Sequence, residues 1–428
     1  MAKRNIARPF NERAGKALSP FHLGGKGKGL ATMAASGLPV PPGFTLLSDA
    51  HRAFMEHGRL PKRVQAHVRR EIIQLEQATG YGLGRSDMPL LVSVRSGAEE
   101  SMPGMMDTIL NVGLTTDALM EIEQRQGARF ANELLANLTR QWPHRVALSD
   151  DPYDQLFCAI EAVFASWESA RAVAYRSAHG IESWKGTAVT IQTMVYGNLD
   201  QRSCTGVVFS VDPSSGQQGL FGEFLPMAQG EDVVGGTRTP RPIAEFASWN
   251  AELDIQLRTY VDQLASHYSW PVDVEFTVES GKLFILQVRR AKLSPVAEIV
   301  SRVHAVWRKE MTRQQAIEGA PSEETLPKAA LSVETRLKAQ QNGLRLAVGL
   351  KASPGVTTGI VAHSIEKARE LALAGKSVIF MRYDTKPEDL PGMLAANAVV
   401  TSQGGTTCHA SIVARELGMP AVVGVRFD

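Results

Sequence analysis

Residues 272–290 read VDVEFTVESGKLFILQVRR. Two runs of β-branched, aromatic and leucine residues flank Ser280 and Gly281, the pattern of an antiparallel hairpin closed by a two-residue turn. Side chains alternate across a strand. Asp273 and Glu275 therefore share one face of the first strand, with Val274 and Phe276 on the other, and Gln287 and Arg289 share one face of the second. Two readings stand at this point. The polar residues form the wet face of an exposed hairpin, or they converge on a Mg²⁺-triphosphate, with oxygen ligands for a hard cation and a guanidinium for phosphate. Val274 and Phe276 already supply an apolar face, which leaves the acidic face free for a cleft.

Upstream of the hairpin, GTAVTIQTMVYG and CTGVVFSVDP are further β-rich runs separated by turn residues, so residues 186–290 are expected to be β-rich. Residues 48–180 carry apolar spacings of three and four, as in HRAFMEHGRLPKRVQAHVRREIIQLEQ, and are expected to be mostly helical. Within them MPLLVSVRSGA fits a buried strand that ends at Arg95. Downstream, residues 291–345 are charged, glycine-poor and helical in pattern, a connecting segment rather than a domain. A last unit, 346–428, opens with ASPGVTTGIVAHS and alternates strand-like and helix-like pieces. The sequence thus predicts an α/β (α+β) protein with a large region over 1–290, a connector, and a small C-terminal domain.

Three other stretches carry candidate chemistry. HLGGKGKGLATM, residues 22–33, reads as a glycine-rich loop leading into a short helix; it lets backbone and Lys26 approach a phosphate, or it is a solvated turn with two lysines. It is neither a Walker loop nor GxGxxG. In SVRSGAEESMPGMMDTILNVGL, residues 93–114, Arg95 at a strand end can grip a phosphate bidentately, or pair with Glu99 or Glu100. The MPGMM segment there reads as core filling or as a mobile lid. In VTSQGGTTCHASIVARELGMPAVVG, residues 400–424, His409 falls at a helix N-terminus, with Thr406 or Thr407 as the expected N-cap. It is a capping histidine, or a neutral imidazole whose nitrogen attacks phosphorus in a field that favours an anion.

Composition narrows the class. Lys+Arg 46 against Asp+Glu 44 leaves no basic excess for a dedicated nucleic-acid or anionic-membrane surface. Three cysteines, Cys158, Cys204 and Cys408, build neither a disulfide framework nor a CxxC zinc site, which points to a reducing compartment. MAKRNIARPF lacks the apolar core of a signal peptide, and no apolar run approaches a membrane span, so the expectation is a soluble cytoplasmic protein.

Taken together and in order, LGGKGKGL, VSVRSGAEESMPGMMDTILNVGL, GTAVTIQTMVYGN, TGVVFSVDPSSG, GEFLPMAQGEDVVGGTRTP and DVEFTVESGKLFILQVR resemble the ATP-grasp nucleotide-binding region of the pyruvate phosphate dikinase family. SPGVTTG and TSQGGTTCHASIVARELGMPAVVG resemble its swivelling β/β/α phosphohistidine domain, and the TCHASIVARELGMPAVVG tail is also similar to phosphoenolpyruvate synthase. The resemblance implies ATP held by Lys26, Arg95 and Arg289 and Mg²⁺ held by Asp273, Glu275 and Gln287. It further implies His409 as the nucleophile that takes the β-phosphoryl group with AMP as product, and Thr407 as a regulatory phosphosite. The γ-phosphate would pass to orthophosphate, as in the dikinase, or to water, as in the synthase. Family members continue into a TIM barrel that binds pyruvate or phosphoenolpyruvate, and its motifs are not in these 428 residues. The expectation is therefore an acceptor site on a separate domain or partner. A phosphotransferase with a non-pyruvate acceptor and a non-catalytic nucleotide-binding remnant are the alternatives.

Overall fold

Among the described residues, three five-stranded sheets organise the chain, each built from strands consecutive in sequence. The computed structural model describes residues 6–10, 20–99, 102, 105–143, 146–178, 180–181, 186–230, 240–322, 338, 341–342 and 346–427. The α/β class is as expected from the sequence. Two compact units are present: Met1–Leu199 with Phe284–Gln287, and Asp200–Leu283 with Val288–Asp428.

The first sheet comprises β1 (Ala7–Pro9), β2 (Gly43–Leu46), β3 (Val92–Gly97), β4 (Thr108–Val112) and β5 (Ala188–Thr193), in the order β1-β2-β5-β3-β4. Its pairings are all antiparallel. One face is apolar: Phe44, Leu46, Val92, Val94, Val189 and Ile191 join a core completed by helices that include Lys62–Thr79 and Pro152–Ala165. The other face is polar, because Thr45, Thr190 and Arg95 lie opposite one another across β2, β5 and β3. The helix Pro20–Ala35 packs on this sheet, with Gly27 against Thr45. Two expectations change here. β5 pairs in the first sheet and does not continue the β-rich part expected over 186–290, because its partners lie far back in the sequence. β3 runs on to Gly97, since Arg95, Ser96 and Gly97 all keep partners in β5.

The second sheet comprises β6 (Cys204–Val211), β7 (Gln218–Pro226), β8 (Arg241–Pro242), β9 (Val272–Glu279) and β10 (Lys282–Arg290), in the order β10-β9-β6-β7-β8. The expected hairpin is present, its turn made by Ser280 at φ 48 and Gly281 at φ 82, the left-handed pair that two-residue hairpins favour. On one face Phe224, Gly206 and Phe276 lie in a cross-strand row. Phe246 packs edge-on against both phenylalanines, with ring centroids 5.0 and 5.5 Å apart, and closes that face.

The third sheet comprises β11 (Ala347–Ser353), β12 (Ile360–Ala362), β13 (Val378–Arg382), β14 (Ala398–Thr401) and β15 (Ala421–Phe427), in the order β11-β15-β14-β13-β12. β12 to β15 are parallel and β11 closes the edge antiparallel to β15. Parallel neighbours need crossovers, supplied by the helices Ile365–Leu373, Leu390–Leu394 and His409–Glu416. Between the second and third sheets the helices Pro295–Trp307 and Arg313–Glu318 occupy part of the helical connector; residues 323–337 lie outside the described residues. No helix among the described residues is long and apolar enough to cross a membrane.

Candidate functional site

The first cluster belongs to the first unit. Residues 22–33 lie in a helix kinked at Gly24: the expected short helix is present, and a kink stands where the glycine-rich loop was expected. Gly24 sits at φ 68, and a Cβ there would lie 1.5 Å from the Gly97 carbonyl oxygen, so only glycine permits the approach. Gly25 N–H donates to Ala98 O at 2.8 Å and fastens the kink to the end of β3. Glycine lowers helix propensity, but this tertiary strap overrides it. The strap brings Lys26 beside Gly97, two residues beyond Arg95. Arg95 Nε is buried with no hydrogen-bond partner, and among the described residues Arg95 forms no ion pair. Glu100, its other expected partner, lies outside the described residues, as do Pro103 and Gly104. Met102, Met105 and Met106 are buried, as core filling requires.

The second cluster lies on the face of the second sheet opposite the aromatic row. Val207 of β6 faces Glu223 on one side and Glu275 on the other, while Phe209 faces Phe221 and Asp273. Three carboxylates therefore share this face. Asp273 is 7% exposed and Gln287 is buried, which excludes a wet hairpin face for these two. Arg289 spans the pair, with Nε donating to Asp273 Oδ1 at 2.9 Å and Nη2 to Glu275 Oε1 at 3.0 Å. Burial pushes the Asp273 carboxyl above the ordinary range, and the Arg289 guanidinium opposes that shift. Burial also works against charge on Arg289, but Asp273 and Glu275 outweigh it and hold the guanidinium protonated. Arg289 is thus neutralised within the sheet. Among the described residues no group of three or more His, Cys, Asp or Glu side chains is placed to hold a metal.

The third cluster is the loop that carries His409. It follows β14, and Thr385 follows the adjacent β13, so both occupy the carboxyl ends of parallel strands, where α/β sheets place their ligand sites. Thr385 Oγ1 lies 3.1 Å from His409 Nδ1. Burial lowers the pKa of His409 below 6.5, against the opposing pull of Asp389 and Glu388. Burial thus favours the neutral imidazole. His409 opens the helix His409–Glu416. The expected threonine cap is replaced: the N-cap is Cys408 and makes no side-chain capping bond.

The threonine hydroxyls are taken elsewhere, by a residue the sequence did not single out. Thr406 N–H donates to Glu223 Oε1 at 2.8 Å, and the Thr406 hydroxyl to the same oxygen at 3.2 Å. The Thr407 hydroxyl donates to Glu223 Oε2 at 2.8 Å. Arg415 completes the seat, its Nη1 donating to Thr406 O at 2.8 Å and its guanidinium lying 5.6 Å from the Phe209 ring centroid. Arg415 is 1% exposed, and burial lowers its pKa to about 10, still charged at pH 7. Glu223 and Arg415 were hidden because their partners are set by tertiary contacts; only the cross-strand row through Val207 links Glu223 to Glu275. Among the candidates, Asp273, Glu275 and Arg289 meet directly, Lys26 lies beside Gly97, two residues along the strand from Arg95, and Thr407 and His409 share the loop seated by Glu223.

Comparisons with known proteins concern the same segments. The family model described as pyruvate phosphate dikinase, AMP/ATP-binding domain, matches residues 21–80 and 58–251. The PEP-utilising enzyme mobile domain matches residues 374–427. The chain is similar to pyruvate, phosphate dikinase of Rickettsia conorii, with 37% identity over 94% of this chain and 52% of the relative. It is also similar to those of Rhizobium meliloti, 36% over 96% and 52%, and Clostridium symbiosum, 35% over 94% and 52%. The chain spans about half the length of the curated relatives it matches. Its mixed α/β nucleotide-binding portion is of the ATP-grasp type. With the first model covering more than half of its residues, the chain belongs to the pyruvate phosphate dikinase AMP/ATP-binding domain family, and residues 374–427 match the PEP-utilising enzyme mobile domain.

Proposed function

We propose that this chain is an ATP-dependent, dikinase-type phosphotransferase that phosphorylates itself on His409. The observation that carries the reading is the placement of the imidazole: Nδ1 beside Thr385 Oγ1 at 3.1 Å, at the start of a helix with no side-chain cap, where burial lowers the ring's pKa and favours its neutral form. In the tautomer whose Nδ1–H donates to Thr385, Nε2 keeps its lone pair for attack. Nε2 forms a bond to the β-phosphorus, the bond from that phosphorus to the α–β bridging oxygen breaks, and AMP leaves. The γ-phosphate passes to orthophosphate or water. Uncapped N–H groups and the helix dipole stabilise the phosphoryl group on the ring.

Lys26 and the unpartnered Arg95 Nε serve the nucleotide phosphates, and the relation between Arg95 and an anion is the bidentate one. Asp273, Glu275 and Gln287 fit Mg²⁺ by donor chemistry: it asks for one or two carboxylates and takes its other ligands from phosphate and water. When bound, Mg²⁺ neutralises charge on the polyphosphate. Arg289, which holds both carboxylates, turns to the phosphates. Thr407 is the regulatory position; its hydroxyl is buried and bonded to Glu223, so modification requires the loop to leave its seat. The acceptor is pyruvate, or another small molecule, held by a separate domain or partner. The setting is the cytoplasm.

The test is incubation with Mg²⁺ and ATP labelled in the β-phosphate. Acid-labile, base-stable label on the protein, lost in His409→Ala, is expected. No label on the native protein, with or without orthophosphate, overturns the reading. Transfer to added pyruvate by a phosphoenolpyruvate-binding barrel protein then tests the acceptor.

A further inference from the structure

One carboxylate in the second unit has a role that nucleotide or metal binding does not explain. Glu223 is buried, on β7, in the cross-strand row with Glu275. Both of its oxygens are occupied, and by one loop: the Thr406 N–H and hydroxyl on Oε1, and the Thr407 hydroxyl on Oε2. The fit is close enough to dictate a neighbouring residue. A Cβ on Gly405 would lie 2.3 Å from each Glu223 oxygen, so the backbone lies against the carboxylate only because residue 405 has no side chain. From the loop's other side, Ser411 Oγ donates to Gly405 O at 2.7 Å and Arg415 Nη1 to Thr406 O at 2.8 Å. Residues 405–407 are thus held by donors on one flank and by an acceptor on the other, and His409 follows two residues later.

We propose that Glu223 is a positioning residue for phosphoryl transfer: it seats residues 405–407 on the acidic face of the second sheet and thereby fixes where the His409 ring is presented. A buried carboxylate that accepts three hydrogen bonds is satisfied only in this arrangement, so the seat is a discrete docked state. Leaving it strips the carboxylate of all three donors at once. Release therefore requires water or another donor to replace them together. The proposal rests on the His409 reading for its catalytic consequence, but the seat itself is independent of any activity.

The experiment has two arms. In the first, exchange of the Thr406 amide proton is followed by residue-resolved hydrogen exchange in the native protein, Glu223→Gln and Glu223→Ala. Slow exchange in the native protein, acceleration of at least about tenfold in Glu223→Ala and an intermediate rate in Glu223→Gln are expected, with the β6 and β9 amides unchanged. Equal Thr406 exchange in all three overturns the seat, whatever the protein catalyses. The second arm measures single-turnover labelling of His409 in Glu223→Ala, Thr407→Val and the double variant. Misplacement by about 1 Å costs up to roughly 10²-fold, so a 10- to 100-fold fall in rate is expected for Glu223→Ala with the ATP concentration for half-maximal rate unchanged. The double variant is expected to lose no more than Glu223→Ala alone, because the two side chains act through one contact. Independent, multiplying losses, or a loss confined to ATP affinity, overturn the positioning role. If the native protein takes no label, the His409 reading fails and the exchange arm alone decides the seat.

Discussion

Arg95 and Arg289 are both arginines on the polar face of an antiparallel sheet, and they are left in opposite electrostatic states. Arg95 Nε is buried and unpartnered, whereas Arg289 is bonded to two carboxylates on the adjacent strand. An unsatisfied buried donor costs free energy that folding alone does not recover. Under the proposed function, that donor serves an anion brought from outside. The Arg289 site is complete without a ligand, so any anion there must displace an internal partner. Under the proposed function the contrast predicts that removing Arg95 injures binding alone, whereas removing Arg289 injures the fold as well.

The largest effect expected is on Arg95. Arg95→Ala should lower the single-turnover labelling rate of His409 by about 10²–10³ while shifting unfolding by less than about 1 kcal/mol, because no internal partner is orphaned. Urea unfolding read beside the rate checks both halves; a loss of stability matching the loss of rate erases the contrast. Next comes Arg289→Ala, which leaves two carboxylates uncompensated and should cost roughly 2–3 kcal/mol, at or below the low end for a buried pair because the guanidinium is partly exposed. Replacing Arg289, Asp273 and Glu275 together by Met, Asn and Gln should recover most of that loss in the same denaturation measurement.

Two smaller effects sharpen the picture at the histidine. Thr385→Val removes the Nδ1 partner and should slow labelling about fivefold, the rate equivalent of one hydrogen bond of about 1 kcal/mol. The pH profile should move least. The attacking form is unprotonated, and His409 has a pKa lowered from 6.5. Lowering the pH from 8 to 6.5 should therefore cost less than half the rate, whereas an unperturbed imidazole loses half by pH 6.5. A midpoint at or above 6.5 would show that burial does not keep the ring neutral.

What was legible in the sequence follows from the range of the interactions. The β9–β10 hairpin was legible because a strict two-residue period and a Ser-Gly turn are local signals. His409 was legible as a helix start for the same reason. The glycines at the start of Pro20–Ala35 argue locally for a loop ahead of the short helix; the strap from Gly25 to Ala98 that decides otherwise is a long-range tertiary contact with no periodic trace. Glu223 lies 183 and 184 residues from the threonines it holds. Its only advance signal was that GEFLP sits in a strand beside the one facing Glu275, and strand order is not readable from composition. Local signals marked the candidate residues, and long-range pairing decided which partners they keep.

The place of β15 in its sheet has a consequence for how the protein is made. Residues 421–427 lie between β11 and β14, so this strand is interior, paired on both sides, although it is the last of the described strands. While the chain emerges N-terminus first, β11 has no partner and β14 has one bare edge until β15 arrives. Over that interval the loop bearing His409 is synthesised ahead of the strand that completes its sheet. Vectorial synthesis therefore inserts β15 between two strands made before it, and Glu223 is made 183 residues ahead of the first threonine it holds.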